Sequence, residues 1–162
     1  MPINVLFLCT GNSCRSIMAE SILGHLGTGR FIGHSAGSHP AGRVSPFSLA
    51  QIAARGHPTG GLRSKSWDEF GAPDAPVMDV VITVCDNAAN EVCPVWPGQP
   101  LTARWPFRDP AAFRGSDAET HGEYAAVHDQ IEARVRALVA APVENMDAAT
   151  LHACLARIGN ET

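Results

Sequence analysis

No block of lysine and arginine residues interrupts this 162-residue chain, and its formal net charge is −4. That balance leaves no electrostatic footprint for nucleic acid or a membrane surface, so a small-molecule or protein partner is expected. The opening MPINVLFLCTG has no basic stretch ahead of its apolar run, which is too short for a signal peptide or a membrane span. A cytoplasmic protein is expected. There is no internal repeat, low-complexity tract or interdomain linker, and 45% hydrophobic residues suffice for one domain with a sizeable core. The five cysteines, Cys9, Cys14, Cys85, Cys93 and Cys154, contain no Cys-x-x-Cys pair, and the seven histidines are scattered, which argues against a zinc centre. An odd set of this kind in a reducing compartment points to catalytic or inert thiols rather than a disulfide framework.

What is present reads as alternating strands and helices. INVLFL (Ile3 to Leu8) is a near-continuous apolar run suited to a strand buried on both faces. Ile17, Ala19, Ile22, Leu23 and Leu26 then recur at helical spacing until Gly27. RFIGHSAG ends a second strand at Gly37; SPFSLAQIAARG offers Ser45 as a cap, Pro46 at the first helical position and Gly56 as a stop. DVVITVC (Asp79 to Cys85) is a further strand signal, LTARWPF a last short one, and Tyr124, Val127, Ile131, Val135 and Leu138 mark a helix over residues 119–140. The expected fold is α/β, a single domain with a four-stranded parallel sheet flanked by helices, whose ligand sits at the carboxyl ends of the strands. Residues 1–141 would form that domain, and 142–162 a C-terminal extension carrying a short helix. His121 and His128 are expected at the solvent face of the long helix.

Cys9 ends the first strand, and CTGNSCRS leads directly into a helix. In that setting the amides of Thr10, Gly11, Asn12, Ser13, Cys14 and Arg15 can converge with the helix N-terminus on one tetrahedral oxyanion, while the Arg15 guanidinium grips two of its oxygens. The same positive field favours the Cys9 thiolate, and Ser16 can donate to its sulfur. Gly11 permits unusual backbone angles, and Asn12 tolerates the left-handed region.

The stretch VLFLCTGNSCRSIMAE resembles the phosphate-binding loop of the low-molecular-weight protein tyrosine phosphatases and of the arsenate reductases built on the same fold. The resemblance implies a low-molecular-weight phosphatase-like fold with Cys9 as nucleophile, Arg15 and the loop amides as oxyanion holders, and Asp109, in FRDPAAF, as general acid. VITVCDNAANEVCPVWPG, with Cys85 and Cys93, is similar to the redox segment of the thioredoxin-coupled arsenate reductases, and RSKSWDEF (Arg63 to Phe70) is similar to other sequence of that group. It implies an enzyme that reduces arsenate through a Cys9 adduct, with Cys85 and Cys93 passing a disulfide outward to thioredoxin or glutaredoxin, and with no tightly bound cofactor. Phosphate or sulfate would bind as analogues. The alternative is a phosphatase that uses Cys9, Arg15, Ser16 and Asp109 and needs neither Cys85 nor Cys93. Some relatives hold potassium beside the loop; Asn12, Glu20 and Ser35 match three of its ligands, while Lys65 falls near the fourth, where an ammonium could replace the ion. Asp68 takes that place in a shifted register. Some phosphatases of this fold carry a second cysteine where Cys14 stands, able to form a protective disulfide; here Cys14 is read as a small residue packed at the helix start, and Cys154 as structural.

Overall fold

The computed structural model describes residues 1–84 and 99–160. Strand β1 (Ile3–Cys9) leads to helix α1 (Arg15–Leu26), β2 (Phe31–Gly37), α2 (Pro46–Ala54), β3 (Val80–Thr83), β4 (Leu101–Arg104), α3 (Asp117–Ala140) and α4 (Ala148–Gly159). The strands form a parallel four-stranded sheet in the order β2-β1-β3-β4. β1 lies inside the sheet, with Cys9 opposite Gly37 of β2 and Leu8 opposite Thr83 of β3. The strand order reverses there, at the carboxyl edge where such sheets open a crevice.

β1 divides its side chains between two faces, as the twofold period of a strand requires. Val5, Phe7 and Cys9 join a large cluster with Ile17, Ile22, Ile52, Ile131 and Leu155, drawn from all four helices. Leu6 and Leu8 join a smaller one with Trp67, Phe70 and Met78, where the short helical turn Trp67–Phe70 covers the sheet. Each fully buried Leu or Phe of β1 contributes roughly 1.5–3 kcal/mol relative to exposure.

Helix α3 starts at Asp117, ahead of the periodic apolar residues, because Ser116 and Glu119 form a reciprocal capping box. His128 departs from expectation: it is fully buried on α3 rather than solvent-facing, while His121 is exposed. After the turn Val143–Asn145, α4 packs on β4, with Trp105 Nε1 donating to the Leu155 carbonyl at 3.0 Å. A Cβ on Gly159 would stand 2.3 Å from the Arg104 carbonyl oxygen, so only glycine allows this approach. No helix among the described residues is long and apolar enough to cross a membrane.

Candidate active site

Cys9 and Arg15 are separated by a loop that is pinned from outside through three of its carbonyls. The Thr10 carbonyl accepts from His39 N, that of Gly11 from Ala41 N and Ser64 Oγ, and that of Ser13 from Ser45 N, at 2.9 to 3.1 Å. Because the described peptides are trans, the next N–H in each case points the opposite way, toward the concave side of the loop. Gly11, Asn12 and Cys14 thereby present donors inward. The Asn12 N–H reaches the Cys9 sulfur at 3.2 Å.

Asn12 adopts φ 47°, the left-handed conformation that asparagine tolerates. Its buried amide is used at both ends: Nδ2 donates to Ser16 Oγ at 2.8 Å, and Oδ1 accepts from Lys65 N at 2.9 Å. Since Ser16 Oγ already accepts from Asn12, its own proton is left for Cys9 Sγ, 2.9 Å away. The buried sulfur therefore meets two donors, which favour negative charge on it. Gly37 closes the floor; a Cβ there would lie 2.5 Å from the Thr10 carbonyl oxygen.

Arg15 opens α1. Its Nη1 donates to the Phe107 carbonyl at 3.0 Å, and Nη2 stands 3.6 Å from Asp109 Oδ2. Its buried Nε has no hydrogen-bond partner among the described residues. Asp109 precedes the turn Pro110–Ala112, where Oδ1 accepts from Ala111 N at 2.9 Å. The fold thus brings Cys9, Arg15, Ser16 and Asp109 together from two chain regions about a hundred residues apart. Cys85 and Cys93 lie outside the described residues.

Lys65, the chain's one lysine, runs beneath the loop. Its Nζ donates to the Arg63 carbonyl at 2.9 Å and to Ser35 Oγ at 3.5 Å, and lies 3.8 Å from Glu20 Oε1. Ser35 Oγ in turn donates to Glu20. Burial pushes Glu20 up and Lys65 down, and each is partly offset by the other's charge. Asn12 Oδ1 is engaged and an ammonium stands against Glu20 and Ser35, so this donor set does not fit potassium as arranged. Asp68 is exposed on the turn that follows.

The sequence marks the loop and Asp109 but not the residues that brace the loop. Ser64, the Lys65 main chain and the Phe107 carbonyl meet the loop only through tertiary packing; Gly37 was visible merely as the end of a strand.

A parallel sheet with a cysteine loop, an arginine on the first helical turn and a late Asp-Pro turn defines a family, and the chain belongs to the one described as low molecular weight phosphotyrosine protein phosphatase, which matches residues 4–149. Within it, the chain is 35% identical to an arsenate reductase of Halalkalibacterium halodurans over 82% of its own length and 91% of the relative's. It is 33% identical to a glutaredoxin arsenate reductase of Synechocystis sp., over 84% and 95%. Among solved structures, an arsenate reductase from Archaeoglobus fulgidus superposes with a TM-score of 0.64 at 30% identity, covering 85% of this chain and 99% of that one. A thioredoxin-dependent arsenate reductase of Corynebacterium glutamicum gives 0.61 at 26%, covering 86% and 60%.

Proposed function

We propose that this chain is an arsenate reductase that works in the cytoplasm with thioredoxin or glutaredoxin as its reductant. The observation that carries the reading is the Cys9 sulfur, buried between the Ser16 hydroxyl at 2.9 Å and the Asn12 N–H at 3.2 Å, in a loop with Arg15 and Asp109 at its rim. The inward amides and the guanidinium bind the arsenate oxygens. The Cys9 thiolate attacks arsenic, and Asp109 protonates the departing oxygen, which leaves as water. Cys85 then attacks the Cys9 sulfur; the S–As electron pair passes to arsenic, arsenite leaves and a Cys9–Cys85 disulfide remains. Cys93 attacks Cys85, which frees Cys9, and the external dithiol reduces the Cys85–Cys93 bridge. Lys65 takes the place of a bound alkali cation beneath the loop.

Arsenate-dependent NADPH oxidation, coupled through thioredoxin and its reductase or through glutaredoxin and glutathione, tests this reading. Turnover is expected with at least one coupling and is lost in Cys9→Ser and Cys85→Ser. A second reading is favoured by a cavity of about 420 Å³ beside the loop, larger than arsenate needs and walled by Phe47, Phe113 and Tyr124. Its aromatic walls suit the organic part of an aryl phosphate, which Cys9, Arg15 and Asp109 would hydrolyse. Brisk p-nitrophenyl phosphate hydrolysis without arsenate turnover under either coupling would favour that phosphatase.

A further inference from the structure

Tyr124, the chain's one tyrosine, takes no part in the reaction proposed above, yet its hydroxyl is buried beside the loop. It projects from α3 with its ring stacked on Phe47, centroids 5.3 Å apart. Its oxygen accepts from Ser45 Oγ at 3.3 Å and lies 3.3 Å from Cys14 Sγ. With Ser45 donating, the phenol proton is left for the sulfur. Burial, reinforced by the adjoining thiol, raises the pKa of this phenol far above its ordinary range, so it stays a neutral donor.

Two consecutive loop residues are therefore tied to the neighbouring helices. Ser13 is held through its carbonyl by Ser45 N at 3.0 Å, and Cys14 through its thiol by Tyr124. Cys14 is the N-cap of α1, but its side chain caps no helical N–H. Its sulfur is instead placed by Tyr124 and, at 3.5 Å, by Ser13 Oγ, while the Cys9 sulfur is met by Ser16 and Asn12.

We propose that Tyr124 is a positioning residue of the oxyanion loop: its hydroxyl anchors Cys14, which aims the Cys14 N–H at the oxyanion and withholds the Cys14 thiol from Cys9. The inference rests on the cradle reading of the loop but not on arsenate turnover. Where the anchor is lost, hydrogen peroxide converts the Cys9 thiolate to a sulfenic acid, and the freed Cys14 thiol condenses with it, expelling water and leaving a Cys9–Cys14 disulfide.

The test is Tyr124→Phe, which keeps the ring against Phe47. Calorimetry on the reduced protein should show inorganic phosphate binding weakened about threefold to tenfold, the range for one lost hydrogen bond. Peptide mapping after brief peroxide treatment should show more of the Cys9–Cys14 bridge than in the parent. Because Tyr124 acts through Cys14, Cys14→Ala alone should weaken phosphate to a similar extent, and adding Tyr124→Phe should then cost nothing more. An unchanged phosphate affinity, an unchanged yield of the bridge, or a full additional loss in the Cys14→Ala background would each overturn the proposal. If Tyr124→Phe melts before it can be measured, an undiminished phosphate affinity in Cys14→Ala alone still overturns it. Phosphate binding to the parent separates this outcome from a failure of the reductase reading, since a working cradle binds phosphate whether or not arsenate is reduced.

Discussion

Cys9 is 3% exposed at the end of β1, whereas the Asp109 side chain on the facing turn is 43% exposed. The loop around Cys9 is fixed by hydrogen bonds from His39, Ala41, Ser45, Ser64 and Lys65, and its Asn12 and Ser16 are fully buried. Among the described residues, Asp109 bonds to its own turn and faces the edge of Arg15. The contrast fits the roles proposed above for the two groups. A thiolate and an oxyanion gain most from donors fixed before the reaction in a place that excludes water, because such donors need no reorganisation. A general acid must recover its proton from solvent in every cycle, so exposure serves it.

The comparison breaks most severely at the residue shared by both turns. Arg15→Lys should lower kcat/KM for arsenate by about 10²–10³-fold, since an ammonium cannot hold the fork geometry, and phosphate affinity should fall with it. Asp109→Asn should sharpen the comparison: kcat falls about 100-fold, while phosphate binding by calorimetry and the melting temperature barely move.

Two perturbations should act on the buried side alone. Burial lowers His128 to about pH 4, and both its ring nitrogens lack partners among the described residues. A histidine kept neutral by the fold contributes stability that is present above its unfolded value near 6.5 and is lost as pH falls toward 4. The loss should be on the order of 2–3 kcal/mol in denaturant titrations, and His128→Leu should flatten the profile over that window. Gly37→Ala should cost about 1–3 kcal/mol by forcing a methyl group against the Thr10 carbonyl. It should weaken phosphate binding as well, which calorimetry would show. The smallest expected effect is a null one. Replacing KCl by NaCl at equal ionic strength should change kcat/KM by less than about twofold, because Lys65 already supplies the charge beneath the loop.

Strands β1 and β2 are readable because their apolar runs end at Cys9 and Gly37, and the loop after Cys9 because Cys, Gly, Asn and Arg crowd between a strand and a helix. Lys65 was placed near the loop by resemblance alone. What it touches depends on residues 63–66 running alongside the end of β2, where Ser66 pairs with Gly37, which no local pattern encodes. Tyr124 reads as one more apolar position of α3; its meeting with a thiol 110 residues earlier is a product of packing. His128 stands four residues after Tyr124 and three before Ile131, so its spacing puts it on the buried stripe of α3, against which α2 packs; its polarity, which suggests a solvent face, is overridden by that position.

The buried Lys65 also settles the chemistry of the surface. With the chain's one lysine spent inside, every other positive side chain of fixed charge is an arginine. Acylating or carbonyl reagents aimed at amines therefore meet no exposed lysine. A partner protein approaching this surface meets planar forks that prefer carboxylates in pairs, rather than mobile point charges.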